Sequence, residues 1–222
     1  MQRTVRQAGF TLVEIAIVLV IIGLLLGGIL KGQEMITQAR IKNVINDFNG
    51  ITAAYASYQD RYRAIPGDDP GAQARWTLPP ANSGNANGDG GLAGNYNDPT
   101  AAAEPETRLF WWHLRQAGFI PGATAPPAVA SNQPTNAVSG MIGVQTGAGA
   151  ATMGLAGLIV CSANMPDKIA IAVDTQTDDQ ASNTGSLRAA LQTASNQAIG
   201  AATFPSPYAE TGANQYLLCR GV

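Results

Sequence analysis

The sequence predicts a mixed fold: one very long N-terminal helix followed by a head of short strands and short helices. No proline falls between Met1 and Ala64, and this stretch is uniformly apolar first and amphipathic afterwards. Beyond it, glycine and proline become frequent, 25 and 13 of 222 residues, which argues for many turns. Short runs rich in Ile, Leu and Val, flanked by glycine, then read as strands. The length fits one to one and a half ordinary domains. Only 13% of the residues are charged, against about 25% in a typical soluble domain. A formal net charge of −2 provides no global positive field, so no nucleic-acid partner is indicated. Two cysteines and the single histidine, His113, are too few for a structural zinc site with four thiolate or imidazole ligands, or for any site that needs two histidines.

The first element is the apolar run from Phe10 to Leu30, 21 residues with one ionisable group, Glu14. As a helix it measures about 31 Å, close to the thickness of a bilayer core. Arg3 and Arg6 precede it and Lys31 follows it, a pattern that keeps Met1 on the cytoplasmic side. A secretory signal peptide would have a shorter apolar region ending in a small-residue cleavage site. A plain single-span anchor leaves Glu14 unexplained, because a carboxylate in lipid is costly and is usually paired.

The residues Ala8-Gly9-Phe10-Thr11-Leu12-Val13-Glu14 resemble the processing motif of type IV pilins and type II secretion pseudopilins. The resemblance is close over about the first 65 residues. It implies that a prepilin peptidase cuts between Gly9 and Phe10 and methylates the new amine on Phe10. Glu14 then matches the glutamate at the fifth position of the mature chain. In the family that glutamate meets the terminal amine of a neighbouring subunit. Pairing offsets part of the cost of burying either charge alone, so only processed chains could complete the pair. Many major pilins carry a proline near the end of the apolar stretch, where this chain has Lys31. The departure leans toward a minor pilin or a pseudopilin.

After Lys31 the helix becomes amphipathic. Ile36, Ile41, Val44, Phe48, Ile51, Tyr55, Tyr58 and Tyr62 recur at steps of three to five residues, with Arg40, Lys42, Asp47 and Gln59 on much of the opposite side. Such a stripe predicts packing against a globular domain. One helix from Phe10 to Tyr62 would reach about 80 Å, too long for a compact domain of this size. Gly23, Gly27 and Gly28 interrupt the apolar half. They read either as close helix packing or as points of local melting during assembly.

In the head, Pro66-Gly-Asp-Asp-Pro70 ends the helix with a turn, and Pro79 to Asp98 reads as a long surface loop. Within it, Asn85, Asn87 and Asp89 supply oxygens at alternate positions beside glycines, as calcium loops do. Asp68 and Asp69 are the nearest additional carboxylates. An ordinary polar turn explains the same residues. Asp174, Asp178 and Asp179 form a second acidic cluster. Glu104 to Ala117 predicts a short helix burying Leu109, Trp112 and Leu114, with Gly118 at its stop. Trp111, Trp112 and His113 suggest core packing before a carbohydrate platform. Pro121 to Pro134 reads as a loop. The strand candidates are Met141–Gln145, Leu155–Cys161 and Gln215–Cys219. Pro166–Asp174 predicts a short helix, and the region from Gly185 to Ala202 gives little periodic signal. Taken whole, this resembles the family's α+β head, an antiparallel sheet laid on the amphipathic half of the long helix.

That resemblance divides the chain into a leader (1–9), a transmembrane and assembly helix (10–31), its amphipathic continuation (32–63) and a head (64–222). It implies a structural subunit that polymerises through its N-terminal helix into a type IV pilus or a type II secretion pseudopilus, not an enzyme. Its partners would be the prepilin peptidase, other subunits, the inner-membrane assembly machinery and, before assembly, membrane lipid. The implied location is the bacterial inner membrane with the head in the periplasm, then the pilus or pseudopilus. In that oxidising compartment Cys161 and Cys219 are expected to join, the other reading being two buried thiols. No cofactor is implied apart from the calcium candidate. A membrane-anchored extracytoplasmic binding module that does not polymerise is the alternative. An enzyme using Asp68, Asp69 and Asp178 is the remoter one.

Overall fold

The computed structural model describes residues 11–76, 86–99, 104–125, 127–147 and 152–222. Helix α1 runs from Leu12 to Tyr62, as the absence of proline and the unbroken helical pattern require. The chain divides into two units between Ala39 and Arg40, inside this helix. In the first unit every residue from Thr11 to Lys31 is exposed. The helix continues through Gly23, Gly27, Gly28 and Gly32, and a Cβ at any of these positions would meet nothing within 4 Å.

In the second unit the α1 stripe does what its spacing predicts. Ile41, Val44, Phe48, Ile51, Ala54 and Tyr58 are buried. They join Ile142, Val144, Leu158, Val160, Leu187, Ala189, Tyr216 and Leu218 in one apolar core. The head is therefore α+β. Its short helices are α2 (Ala72–Arg75), α3 (Glu106–Gln116), α4 (Pro127–Ala130) and α5 (Asp167–Thr177). The strands β1 (Ile142–Gly147), β2 (Gly157–Pro166), β3 (Leu187–Gln192) and β4 (Gln215–Gly221) form one sheet in the order β1-β2-β4-β3. All three pairings are antiparallel.

Both faces of this sheet are covered. Alternate residues Ile159, Cys161, Ala190, Leu217 and Cys219 face a second core completed by Tyr96, Met153, Leu155 and Ile199 from segments outside the strands. A register shift between Ser162 and Met165 marks a bulge, where Asn164 takes φ +58°. The extra residue sends Ala163 to one core and Met165 to the other despite their even spacing.

Several expectations change here. The segment 187–192, without visible periodicity in sequence, is strand β3. Alternation fails as a signal because both sides of the strand are covered and its burial is nearly continuous. Strand β2 extends to Pro166, well past the expected end at Cys161. The loop before Asp98 is not wholly superficial. Leu92 and Tyr96 are buried, and the Tyr96 N–H donates to Gln145 Oε1 on β1 at 3.0 Å. Gly143 permits this approach, since a Cβ there would lie 1.9 Å from the Tyr96 carbonyl oxygen. Helix α3 is buried around its whole circumference from Glu106 to Leu114, because it is enclosed between the main core and a smaller cluster of Ala72, Trp112 and Ala130. Trp111 and Trp112 are fully buried, which removes the carbohydrate platform. Within the expected loop 121–134, Pro127–Ala130 forms α4.

Candidate functional site: the start of the long helix and the head that follows it

Gly9 and Phe10, the expected processing junction, lie outside the described residues. The structure begins beside them. Thr11 N–H and Thr11 Oγ1 each donate to Glu14 Oε2 at 2.8 Å, and Glu14 N–H donates back to Thr11 Oγ1 at 3.3 Å. This reciprocal pattern is a capping box, in which a threonine ahead of the first turn and a glutamate three residues on satisfy each other's free backbone donors. Glu14 therefore has a local role in the N-terminal cap of α1. Its charge sits in the first turn, where the helix dipole favours an anion. The spacing Thr-x-x-Glu ahead of an apolar run is a sequence signal for such a cap. It overlaps the processing motif, which accounts for the same residues and hides it.

Beyond this turn the α1 segment is apolar and unburied. Exposure runs from 91% at Leu12 to 46% at Ile22. Among the described residues one helix is long and apolar enough to cross a membrane, and it is α1. Exposed apolar surface on this scale marks a membrane or protein contact. Lys31 closes the stretch and pairs with Glu34 at 2.7 Å, a solvent-exposed pair worth little by itself.

In the head, Cys161 and Cys219 form a disulfide. They face each other directly across β2 and β4, in the middle of the sheet instead of at strand ends, because both strands continue beyond their expected limits. Both cysteines are fully buried.

The calcium candidates separate. Asn85 lies outside the described residues. Asp89 and Asn87 bond to each other, with Asn87 Nδ2 donating to Asp89 Oδ2 at 3.0 Å and Asp89 N–H to Asn87 Oδ1 at 2.9 Å. Asp68 reaches the same loop and accepts the N–H groups of Gly88 and Gly90 at 2.5 and 2.7 Å. Asp69 instead accepts the Tyr58 hydroxyl at 2.7 Å and pairs with Arg75. These carboxylates already serve protein donors, and Asp69 has a cation of its own. Asp174, Asp178 and Asp179 do lie close together, their oxygens within 4.8 Å. They too accept protein donors, from Tyr208, Leu187 and Thr184 respectively. Burial raises the pKa of Asp174.

His113 packs as core. Its Nδ1 accepts the Gly67 N–H at 2.8 Å, and its ring lies parallel to Tyr58 with centroids 6.0 Å apart. Burial pushes its pKa down to about 3, so it is a neutral acceptor at ordinary pH. The turn that supplies the Gly67 donor needs glycine. Gly67 has φ +95°, and a Cβ would sit 2.5 Å from the Glu106 carbonyl oxygen.

Residues 5–30 match the family model of the prokaryotic N-terminal methylation motif, the signature of type IV pilins and pseudopilins. No curated protein and no solved structure matches the chain. The N-terminal segment thus carries a motif that supports a pilin-like or pseudopilin-like protein and that marks structural proteins of that kind. It implies processing by a prepilin peptidase and membrane anchoring through the apolar helix.

Proposed function

We propose that this protein is a filament subunit, a minor pilin or a pseudopilin, that polymerises through α1 once residues 1–9 are removed as a leader. The observation that carries the reading is a coincidence of position. The methylation motif at 5–30 overlies a helix in which every residue from Thr11 to Lys31 is exposed. In this reading residues 10–31 span the inner membrane and later line the filament interior. Residues 32–63 continue the helix into the head of 64–222.

Cutting between Gly9 and Phe10 creates an amine that the precursor lacks, and methylation leaves it cationic. Glu14 of one subunit accepts that amine from its neighbour. Each charge alone would cost several kcal/mol in an apolar surround, and pairing offsets part of this. Gly23, Gly27, Gly28 and Gly32 leave the backbone open to close approach by another helix. Arg3 and Arg6 hold the leader on the cytoplasmic side. A periplasmic head suits the Cys161–Cys219 disulfide, since such bonds persist in oxidising compartments.

Two measurements test this. Intact mass of the membrane-extracted protein should show loss of residues 1–9 and gain of one methyl group. A mature chain beginning at Met1 would overturn the processing step. Glu14→Ala should insert normally but be depleted from sheared filaments or from cross-linked multimers. Wild-type incorporation of that variant would remove the pairing role.

A further inference from the structure

We propose that Asn87 is a self-modification site, which the folded head converts through a cyclic imide to aspartate or isoaspartate, with Asp68 as the base. In this chemistry the backbone nitrogen of the next residue attacks the side-chain amide. Glycine in that next position puts no Cβ in the way. The sequence holds two such pairs, Asn49-Gly50 and Asn87-Gly88.

Each reacting atom of the second pair has a partner. The attacking atom is the Gly88 nitrogen, whose N–H donates to Asp68 Oδ1 at 2.5 Å. Asp68 is buried, and its Oδ2 is fixed by the Gly90 N–H at 2.7 Å. A carboxylate held at hydrogen-bond distance from the proton it removes has the geometry of a general base. The atom attacked is Asn87 Cγ. Its oxygen, Oδ1, accepts the Asp89 N–H at 2.9 Å, a donor placed where negative charge develops. Its nitrogen, Nδ2, donates to Asp89 Oδ2 at 3.0 Å, which holds the amide plane. From the other side Glu106 accepts the N–H groups of Asn87 and Ala93, the latter at 2.7 Å. Holding the reactants in place removes much of the entropic barrier to ring closure. Asn87 itself is exposed, so water reaches it.

The bond from Gly88 N to Asn87 Cγ forms as Asp68 takes the Gly88 proton. The Cγ–Nδ2 bond breaks, and Nδ2 leaves as ammonia with that proton, relayed by solvent. Water then opens the imide at either carbonyl, giving aspartate or isoaspartate at position 87. The product sets a new carboxylate against Asp89, near Asp68 and Glu106, and no longer offers Asp89 a side-chain N–H. Like charges this close repel, so the change loosens the 87–93 loop and cannot be reversed by the chain. It is a timer built into the head.

The neighbouring candidates lack this arrangement. Asn49-Gly50 lies inside α1, where the Gly50 N–H is committed to the helix and Asn49 Oδ1 accepts Arg220 Nη1 at 3.0 Å. Asp89-Gly90 shares the Asp68 base, but hydrogen bonds from Asn87 and Gly91 hold the Asp89 carboxyl below its usual range. It stays an anion, which resists attack.

The test incubates the full chain in detergent micelles in heavy-oxygen water and maps its peptides by mass. Position 87 should take up heavy oxygen and lose its amide, while position 49 should not. At about pH 5 the folded chain should react about a hundredfold faster than the same chain unfolded in guanidinium, the lower end of what a positioned base contributes. From about pH 5 to 7 the folded rate should stay level, because the protein supplies the base, whereas the unfolded rate should follow hydroxide, about tenfold per pH unit. Asp68→Asn should lower the folded rate by about a hundredfold and make it follow hydroxide. The comparison of folded with unfolded wild-type chain decides the matter even if that variant does not fold. Equal or slower conversion in the folded chain, a folded rate that follows hydroxide, or an unchanged rate in folded Asp68→Asn would each overturn the proposal.

Discussion

Leu12–Ala39 and Arg40–Tyr62 are one helix by backbone hydrogen bonding and two by environment. The first stretch is apolar on nearly every side as far as Leu30 and buries nothing from Thr11 to Lys31. The second is apolar on one stripe, and there Ile41, Val44, Phe48 and Tyr58 are at most 2% exposed. Periodic apolarity is answered within the chain, by the sheet. Uniform apolarity has no answer among the described residues, and exposed apolar surface of this extent marks a membrane or protein contact. The difference separates residues that hold the head together from residues whose contacts belong to a larger object.

Substitution is the hardest test of that division. Phe48→Ala should destabilise the head by about 3–5 kcal/mol, the usual cost of emptying a buried aromatic site. Leu24→Ala, in the other stretch, should move the denaturation midpoint by less than about 0.5 kcal/mol. Tryptophan fluorescence during unfolding reads both, and similar effects would erase the distinction.

Next in size is the disulfide. Converting Cys161 and Cys219 to alanine should cost the head about 2–4 kcal/mol. Far-UV circular dichroism at temperatures where the variant head has melted should still report helix from the first stretch of α1.

A pH scan isolates the second stretch from another direction, since His113 stacks on Tyr58. Its pKa in the folded head, about 3 because of burial, is below the unfolded value of about 6.5. The unfolded chain therefore binds the proton first as pH falls. The contribution of His113 is complete above about pH 6.5 and declines by roughly 1.4 kcal/mol per pH unit down to about pH 4. His113→Gln should remove this component of the slope. Glu106 and Asp174, whose pKa values burial raises, act with the opposite sign, since their contribution is lost as pH rises. They remain in the variant, so the difference between the two curves isolates His113.

The smallest effect belongs to the first turn. Thr11→Ala should release about 1 kcal/mol of local capping, seen as faster hydrogen exchange at residues 12–15 with an unchanged head melting temperature. A shift in head melting would mean that the two stretches are energetically coupled.

How far the sequence can be read follows the same physical divide. Helix α1 is legible because its pattern runs for about fifty residues without a breaker. Helix α3 is legible from Pro105 and Gly118, and α5 from Pro166, which sets its start. Strand β3 is hidden because Leu-Arg-Ala-Ala-Leu-Gln has small residues and two covered faces, which leaves no alternation to detect. At the candidate site, Glu14 stands out as the one charge in an apolar run, whereas its local partner Thr11 looks unremarkable. The pairing of Asp69 with Arg75 and the seat of the 87–93 loop on Glu106 are invisible for another reason. Both are assembled by tertiary packing, which brings Glu106 on α3 to the N–H groups of Asn87 and Ala93.

Strand β4 lies between β2 and β3, although it is the last of the four in sequence. Among the described residues β4 is the one strand that β3 pairs with, apart from a single bridge from Leu191 to Thr203, and Cys161 waits for Cys219. Arg220, near the end of the chain, donates to Asn49 and Thr52 on α1 at 3.0 Å each. The sheet therefore cannot close until β4 is present. Synthesis has to run through residue 221 before the sheet acquires its centre, and until then β1 and β2 can form no more than a hairpin. Any stop ahead of Gln215 yields an open head that lacks β4 and leaves Cys161 without its disulfide partner.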